Sequence, residues 1–354
     1  MAMKNKILLG MSGGVDSSVS AALLKDAGWD VIGVTLLLPS GNPEHDRSIE
    51  VTAREAAAVA RRLGIPHKTV DLSEDFRKHV IDYFVDSYRR FETPNPCVEC
   101  NRYIKFGKMF DLAMELGCSH MATGHYARTA YSDKYSCRVI AKSPSVKDQS
   151  YFLYKIRKEV VDRIVFPLAT FTSKDEVRAT ARQMGLSVAS KPDSEDVCFI
   201  PGGDYRAFLE DNGFMKPNPG KVRHLNGEVL GEHGGLYRYT TGQRKGLGIA
   251  YRNPIYVIGR DTDSNTLLVG DEKDLYTDSF TIRDINWLAG EMPDRLENIT
   301  VKTRYTKNDY ECALKSEGNS RARVLLSRPQ KLITAGQSAV FYDGNVLLGG
   351  GIIE

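Results

Sequence analysis

The feature that most limits the fold lies close to the N-terminus. An apolar run, Lys6 to Gly10, reads as a strand and gives way at Met11 to Ser12-Gly13-Gly14-Val15-Asp16-Ser17-Ser18. Apolar residues then return at helical spacing as Val15, Val19, Ala22 and Leu23, with Gly28 as the stop. Two glycines let the backbone close on an oxyanion, while hydroxyls and helix N-terminal amides supply donors. The run lacks the lysine of G-x-x-x-x-G-K-[ST], and G-x-G-x-x-G is absent as well, which argues against a dinucleotide fold.

Strand and helix signals go on alternating. Val31–Leu38, His67–Val70 and His120–Thr123 read as strands. Ile49–Leu63, Phe76–Phe91 and Ile104–Leu116 read as helices, and Ser173-Lys174-Asp175-Glu176 reads as a capping box opening a helix that Gly185 ends. The fold class expected is α/β, a parallel sheet covered on both faces. After about Pro201 helical periodicity fades. Leu225–Leu230 reads as two strands about Asn226-Gly227, and short alternating runs such as Asn298–Thr303 and Arg321–Ser327 recur from about Phe280. Three domains are expected, over 1–205, 206–277 and 278–354, the second small and β-rich and the third a β-barrel.

The longest apolar stretch, Val31–Leu38, is too short to span a bilayer, and Met1 to Lys6 lacks a signal-peptide pattern, so a cytoplasmic chain with no membrane partner is expected. Net charge is only +3, but nine Lys/Arg face five Asp/Glu between Gly202 and Arg260. That imbalance suits an anionic partner, although a solvated basic face alone would look the same. Six cysteines in such a chain do not suggest a disulfide scaffold. Cys97, Cys100 and Cys198 stand in polar, turn-rich contexts, whereas Cys118, Cys137 and Cys312 lie in apolar or strand-like runs and read as small core residues.

Ser12 to Ser17 resembles the pyrophosphatase loop of enzymes that split ATP between its α and β phosphates. That loop is shared by synthetases for GMP, NAD, asparagine and argininosuccinate and by tRNA-thiolating enzymes. Thr93 to Gly107, Ala122 to Ala127, Lys147 to Leu153, Ser194 to Ile200, Thr241 to Gly248 and Val301 to Tyr305 follow in order and are similar to the signatures of tRNA-specific 2-thiouridylases. The resemblance spans nearly the whole chain. It implies adenylation of the C2 oxygen of a wobble uridine with release of pyrophosphate, then replacement of that oxygen by sulfur. A uracil oxygen leaves poorly until adenylated, and an anticodon-loop base can be splayed out at modest cost.

Carried over by position, the resemblance assigns Gly10, Met11, Ser12, Gly13, Gly14, Val15, Asp16 and Ser17 to ATP, with Leu36 and Gly124 beside the nucleotide. Asp16 would help hold Mg2+. Cys100 resembles the nucleophile and Cys198 the cysteine that carries a persulfide. Asn95, Pro96 and Cys97 would border the target base, and His125, Lys147, Asp148, Gln149, Arg304, Tyr305 and Gln337 resemble tRNA contacts. At Leu36 the family commonly has methionine, so that contact is apolar packing. Partners implied are the tRNA anticodon loop and a persulfide-carrying sulfur donor protein, or sulfide.

One departure matters. Many members carry aspartate, a general acid or base, where this chain has Cys97. A thiol can also exchange a proton. Three cysteines are then able to converge, and the sulfur could travel as a Cys198 persulfide that ends as a Cys198–Cys100 disulfide. It could instead travel on a [4Fe-4S] cluster held by Cys97, Cys100 and Cys198, with zinc at the same thiols a third reading. Two further function classes stay open: a pyrophosphatase-loop ligase or synthetase for a small molecule, and a non-catalytic RNA-binding relative.

Overall fold

A computed structural model describes residues 5–186, 188, 197–306 and 308–354. Ser194, Glu195 and Asp196 of the fourth signature, and Met1 to Lys4, lie outside the described residues.

The first unit is the expected parallel sheet. Its strands are β1 (Lys6–Gly10), β2 (Asp30–Leu37), β3 (His67–Asp71), β4 (His120–Ala122) and β7 (Ile164–Val165), in the spatial order β3-β2-β1-β4-β7. Ile7, Leu8 and Leu9 are fully buried because both faces are covered. On one face lie α1 (Val15–Asp26), α2 (Pro43–Leu63) and α8 (Lys174–Gln183), packed through Val19, Leu24, Ala56, Val59, Val177 and Ala181. The other face carries α6 (Met109–Glu115), the short α7 (Lys158–Val161) and the helical turns before them. Strand order reverses between β1 and β4, and such a switch point opens a crevice at the strands' C-terminal ends.

Two helical stretches differ from expectation in kind. The first runs as α3 (Ser73–Phe76), a π-helical segment Arg77–Ile81 and α4 (Asp82–Arg89). The second begins earlier than Ile104, as α5 (Pro96–Glu99) with Pro96 in its first turn, and continues as a π-helix over Cys100–Lys108 before α6. Periodicity marks apolar faces and does not register a change from i−4 to i−5 hydrogen bonding, which often accompanies functional sites. A short α9 (Tyr205–Asp211) packs beside α3 and α4 through Phe208 and Leu209.

The middle sheet is β8 (Gly220–His224), β9 (Val229–His233), β10 (Tyr256–Asp261) and β11 (Thr266–Gly270), ordered β10-β11-β8-β9. Asn226-Gly227 does turn a hairpin, but its strands stop at His224 and resume at Val229, so only Val229 and Leu230 of the expected Leu225–Leu230 lie in a strand. The last unit is a closed antiparallel barrel of β12 (Tyr276–Trp287), β13 (Arg295–Lys302), β14 (Tyr310–Gly318), β15 (Arg321–Lys331), β16 (Ser338–Asp343) and β17 (Val346–Ile353), sealed by the β12–β17 pairing. A hairpin of β5 (Ala127–Ser132) and β6 (Cys137–Lys142) leaves the first unit and joins the barrel sheet beside β17. This hairpin ties the nucleotide-side crevice to the barrel, and Val340, Tyr342 and Leu347 share a core with Ile140 and Tyr151. Cys118 and Cys312 are buried and Cys137 is half-buried.

Candidate active site

The glycine-rich turn Ser12 to Ser17 sits at the C-terminal end of β1. Gly13 adopts a left-handed φ of 64°, and a Cβ there would stand 2.6 Å from the Thr52 carbonyl oxygen, so only glycine fits without strain. Ser12 and Ser17 fold the loop on itself: the Ser12 amide donates to Ser17 Oγ at 3.2 Å, and Ser17 Oγ donates to the Gly14 carbonyl at 3.2 Å. Gly14 caps α1 and brings no side-chain oxygen to the first amides of the helix. From β4, Gly124 presses on the loop: a Cβ there would lie 3.0 Å from the Ser17 nitrogen and 3.2 Å from Asp16 Cβ. Met11 is buried and its carbonyl accepts from Thr35 Oγ1 at 2.8 Å. Leu36 is half-buried at the end of β2, packed against two of the apolar cores.

Both Asp16 oxygens are engaged. Tyr126 Oη donates to Oδ1 at 2.8 Å, and Lys174 Nζ, from the first turn of α8, donates to Oδ2 at 2.6 Å. Neither partner was singled out in the sequence reading.

The three candidate cysteines are unbonded. Cys97 lies in α5, Cys100 opens the π-helix and is buried, and Cys198 sits in a turn preceding Phe199 and Ile200. Cys97 and Cys198 touch solvent although protein crowds them, as expected for residues lining a recess. Burial pushes the Cys198 thiol up to about 12, with Cys100 and then Cys97 adding to it and Lys105 opposing. Burial pushes Cys100 up to about 11, opposed by Lys105, and raises Cys97 as well. The three thiols therefore share one electrostatic neighbourhood with the Lys105 ammonium. Burial favours the protonated form of each thiol, and the Lys105 ammonium works against it. Among the described residues, no three His, Cys, Asp or Glu side chains are grouped to hold a metal ion.

The stretch before α5 is held from the barrel. Gln337 Nε2 donates to the Thr93 carbonyl at 3.0 Å and the Pro94 carbonyl at 3.3 Å, and the Thr93 amide donates to the Ala335 carbonyl at 2.9 Å. Tyr151 Oη donates to the Ser338 carbonyl at 3.0 Å and also meets the Asn95 side chain. Pro96 starts α5. His125 bonds Thr123 Oγ1 through Nδ1 at 2.8 Å and lies between Phe106 and Phe166. Desolvation, then Lys105, hold its pKa well below the usual imidazole value, so the ring is neutral. Gln149 Oε1 accepts from the Tyr126 amide at 3.0 Å. Asp148 Oδ1 accepts from the Ser143 amide at 2.8 Å and Oδ2 from Ser150 Oγ at 2.8 Å. Lys147 and Arg304 are half-buried, while Tyr305 is 47% exposed with its ring 4.6 Å from that of Phe152.

Beneath the Cys100 helix lies a buried ion cluster the sequence reading missed. Lys155 Nζ bonds Glu99 Oε1 at 2.7 Å and Asp284 Oδ2, on the barrel strand β12, at 2.7 Å. Lys155 and Glu99 side chains are 3% and 5% exposed. This cluster fixes the start of the π-helix against the barrel.

A tRNA methyl transferase HUP domain family matches residues 5–202, a tRNA methyl transferase PRC-barrel domain 206–271 and an aminomethyltransferase beta-barrel domain 277–353. The chain is 43% identical to the tRNA-specific 2-thiouridylase MnmA 1 of Caldanaerobacter subterraneus subsp. tengcongensis, over 100% of this chain and 99% of that protein. It is 44% identical to the tRNA-specific 2-thiouridylase MnmA of Trichlorobacter lovleyi, over 99% and 98% of the two chains. Among solved structures, the U34-tRNA thiolase NcsA from Methanococcus maripaludis, with its [4Fe-4S] cluster, matches at 22% identity and a TM-score of 0.37, over 59% of this chain and 68% of that one. A likeness that distant transfers no chemistry.

Proposed function

The chain belongs to the tRNA-specific 2-thiouridylase family, and from that premise we propose how its own residues replace the C2 oxygen of a tRNA wobble uridine with sulfur. In the first step the uracil O2 attacks the α-phosphorus of ATP. An O2–Pα bond forms, the bond from Pα to the pyrophosphate oxygen breaks, and the N3 proton passes to solvent. Gly10 to Ser17 hold the phosphates, with Leu36 and Gly124 beside the nucleotide. Asp16 suits magnesium, which takes one or two carboxylates together with phosphate oxygens and neutralises charge on the leaving group.

In the second step sulfur displaces AMP from C2. A Cys198 persulfide attacks, because its outer sulfur keeps thiolate character near neutral pH, whereas the parent thiol is pushed towards its protonated form. The Cys100 thiolate then attacks Cys198 Sγ, releasing the thiocarbonyl of 2-thiouridine and leaving a Cys100–Cys198 disulfide. The two thiol sulfurs are oxidised as the sulfane sulfur is reduced, and a reductant restores the enzyme. The outer sulfur reaches Cys198 in the cytoplasm from a persulfide-carrying donor protein: the Cys198 sulfur attacks the donor's sulfane sulfur, and the donor cysteine leaves as a thiol. Cys97 stands where many relatives use aspartate and relays a proton. Among the described residues no three His, Cys, Asp or Glu side chains are grouped to hold a metal ion, and no step is routed through a [4Fe-4S] cluster.

His125, Lys147, Asp148, Gln149, Arg304, Tyr305 and Gln337 receive the anticodon loop, where Tyr305 offers a half-exposed ring for stacking. Asn95, Pro96 and Cys97 border the target base. We divide the chain into units of 1–205, 206–277 and 278–354, the last two contributing to the grip on the tRNA.

One observation carries this reading. Gly124 abuts the phosphate-binding turn, the adjoining His125 feels Lys105, and Lys105 acts on all three thiols, so activation and sulfur transfer share one neighbourhood. Measuring pyrophosphate release with and without tRNA tests it. The thiolase requires tRNA for turnover, a small-molecule synthetase does not, and an RNA-binding relative releases none.

A further inference from the structure

Cys97 and Cys100 set two thiols three residues apart on one helix, with a third cysteine, Cys198, brought in from another segment. Residues at that spacing are neighbours, with Cβ atoms about 5–6 Å apart in a regular α-helix. The turn between these two is tighter. The Cys100 amide donates to both the Pro96 and the Cys97 carbonyls, and the bond to the residue three back brings positions i and i+3 towards eclipse. A disulfide needs a Cβ separation of about 3.5–4.5 Å, which slight further tightening of this turn supplies. Pro96, in the same turn, has no amide to lose as the turn tightens. Access to the sulfurs is unequal. Cys100 is 7% exposed, whereas Cys97 and Cys198 reach solvent. Cys198 feels Cys100 and then Cys97, and Cys100 feels Cys97, so each thiol has both others within electrostatic reach.

A Cys100–Cys198 disulfide, the end point of the persulfide route, blocks the cysteine that must take up the next sulfur. Resting on that route, we propose that Cys97 is the resolving thiol of the site. Once 2-thiouridine is released, the Cys97 thiolate attacks Cys100 Sγ. A Cys97–Cys100 bond forms, the Cys100–Cys198 bond breaks, and Cys198 leaves as a thiolate that takes up the proton Cys97 gave up. The exchange is neutral in electrons and needs no oxidant. Cys198 is free for another outer sulfur while the oxidised pair stays on the helix. A dithiol then attacks Cys97 Sγ, the solvent-facing end of the new bond, and Cys100 leaves as a thiol. The second sulfur of the dithiol displaces Cys97 and carries the disulfide away. A thiol already in place outruns a dissolved one, because positioned groups react at effective concentrations far above millimolar. An aspartate at this position exchanges protons but not disulfides, so this chemistry belongs to the cysteine.

The test uses the full-length protein, loaded with persulfide, freed of donor and mixed with ATP, magnesium and excess tRNA in the absence of reductant. Free thiols are trapped with N-ethylmaleimide, and a tryptic digest is mapped by mass spectrometry without reduction. Trypsin leaves Cys97 and Cys100 together in the peptide 91–102, so each disulfide has its own signature. Wild type is expected to show an internal disulfide in that peptide and an alkylated Cys198. Cys97→Asp and Cys97→Ser are expected to retain a Cys100–Cys198 cross-link. Both should need at least about tenfold more dithiothreitol for half-maximal steady-state thiolation, and the serine variant carries the comparison if the aspartate variant fails to fold. A wild-type disulfide still on Cys198 beside an alkylated Cys97 would overturn the inference. So would variants with the wild-type requirement for dithiothreitol, which would leave Cys97 a proton relay alone. Wild type that makes 2-thiouridine and ends with all three thiols alkylated overturns the persulfide route itself.

Discussion

Three glycines around the Ser12 to Ser17 turn make different demands, and alanine at each separates them. At Gly13 the φ of 64° costs an L-residue about 1–2 kcal/mol, and the added Cβ would lie 2.6 Å from the Thr52 carbonyl oxygen. At Gly124 a Cβ would meet the Ser17 nitrogen at 3.0 Å and the Asp16 carbonyl carbon at 3.1 Å. Both contacts are backbone, so the loop or the end of β4 must shift, at an overpacking cost of about 1–3 kcal/mol. At Gly14, with φ −91°, the nearest atom to a Cβ is Ser12 Oγ at 3.5 Å, which leaves room in the empty protein. Gly14→Ala should therefore stay within about 1 kcal/mol of wild type. Urea titration should rank the midpoints as wild type and Gly14→Ala, then Gly124→Ala, then Gly13→Ala. ATP binding, measured by equilibrium dialysis, should nevertheless fall in all three, by at least about tenfold (1.4 kcal/mol). In Gly14→Ala the cause is the methyl group where a phosphate must approach. A Gly14→Ala protein that binds ATP normally, or a Gly124→Ala protein that unfolds with wild type, would refute the geometry.

Lys155→Met removes the close partner of the buried Glu99, leaving only Arg102 at 4.0 Å, and should cost about 3–5 kcal/mol by urea denaturation. Adding Glu99→Gln should recover much of the loss, and a Lys155→Met loss under about 1 kcal/mol would mean the cluster is not buried as described. Raised thiol pKa values predict that alkylation of Cys100 and Cys198 by iodoacetamide keeps climbing with pH towards about 11 and 12, instead of levelling near 9. The linked stability has the matching sign: above pH 9 the unfolded chain releases thiol protons that the folded one retains, so alkaline conditions favour unfolding. Cys100→Ser and Cys198→Ser should abolish thiolation while ATP binding survives, and full activity in either would remove its assigned role.

Much of the first unit was legible because buried parallel strands and amphipathic helices write strong periods. The turn at Ser12 to Ser17 was legible because glycine pairs flanked by hydroxyls serve few purposes. The π-helix at Cys100 was not, since its apolar spacing imitates an α-helix over nine residues. Nor was the β5–β6 hairpin, whose role depends on barrel strands some two hundred residues later. Gln337 could be placed by resemblance, but its bonds to Thr93 and Pro94 are a long-range fact. Lys174 did leave a trace: it occupies the core-facing position of an amphipathic helix, where an unpaired charge would be costly. Lys155 and Glu99 left none, because each reads as an ordinary surface residue.

The identity of the product is the most direct test of adenylation followed by sulfur transfer. Purified protein, prepared with and without oxygen, is incubated with ATP, magnesium, tRNA and a persulfide donor, and the tRNA nucleosides are analysed by mass spectrometry. The expected result is 2-thiouridine at the wobble position, formed only when ATP is present, by iron-free protein and under both atmospheres. Sulfur incorporation confined to anaerobic, iron-loaded protein would contradict the persulfide route. Unaltered uridine alongside ATP consumption would contradict the assignment of the activated oxygen.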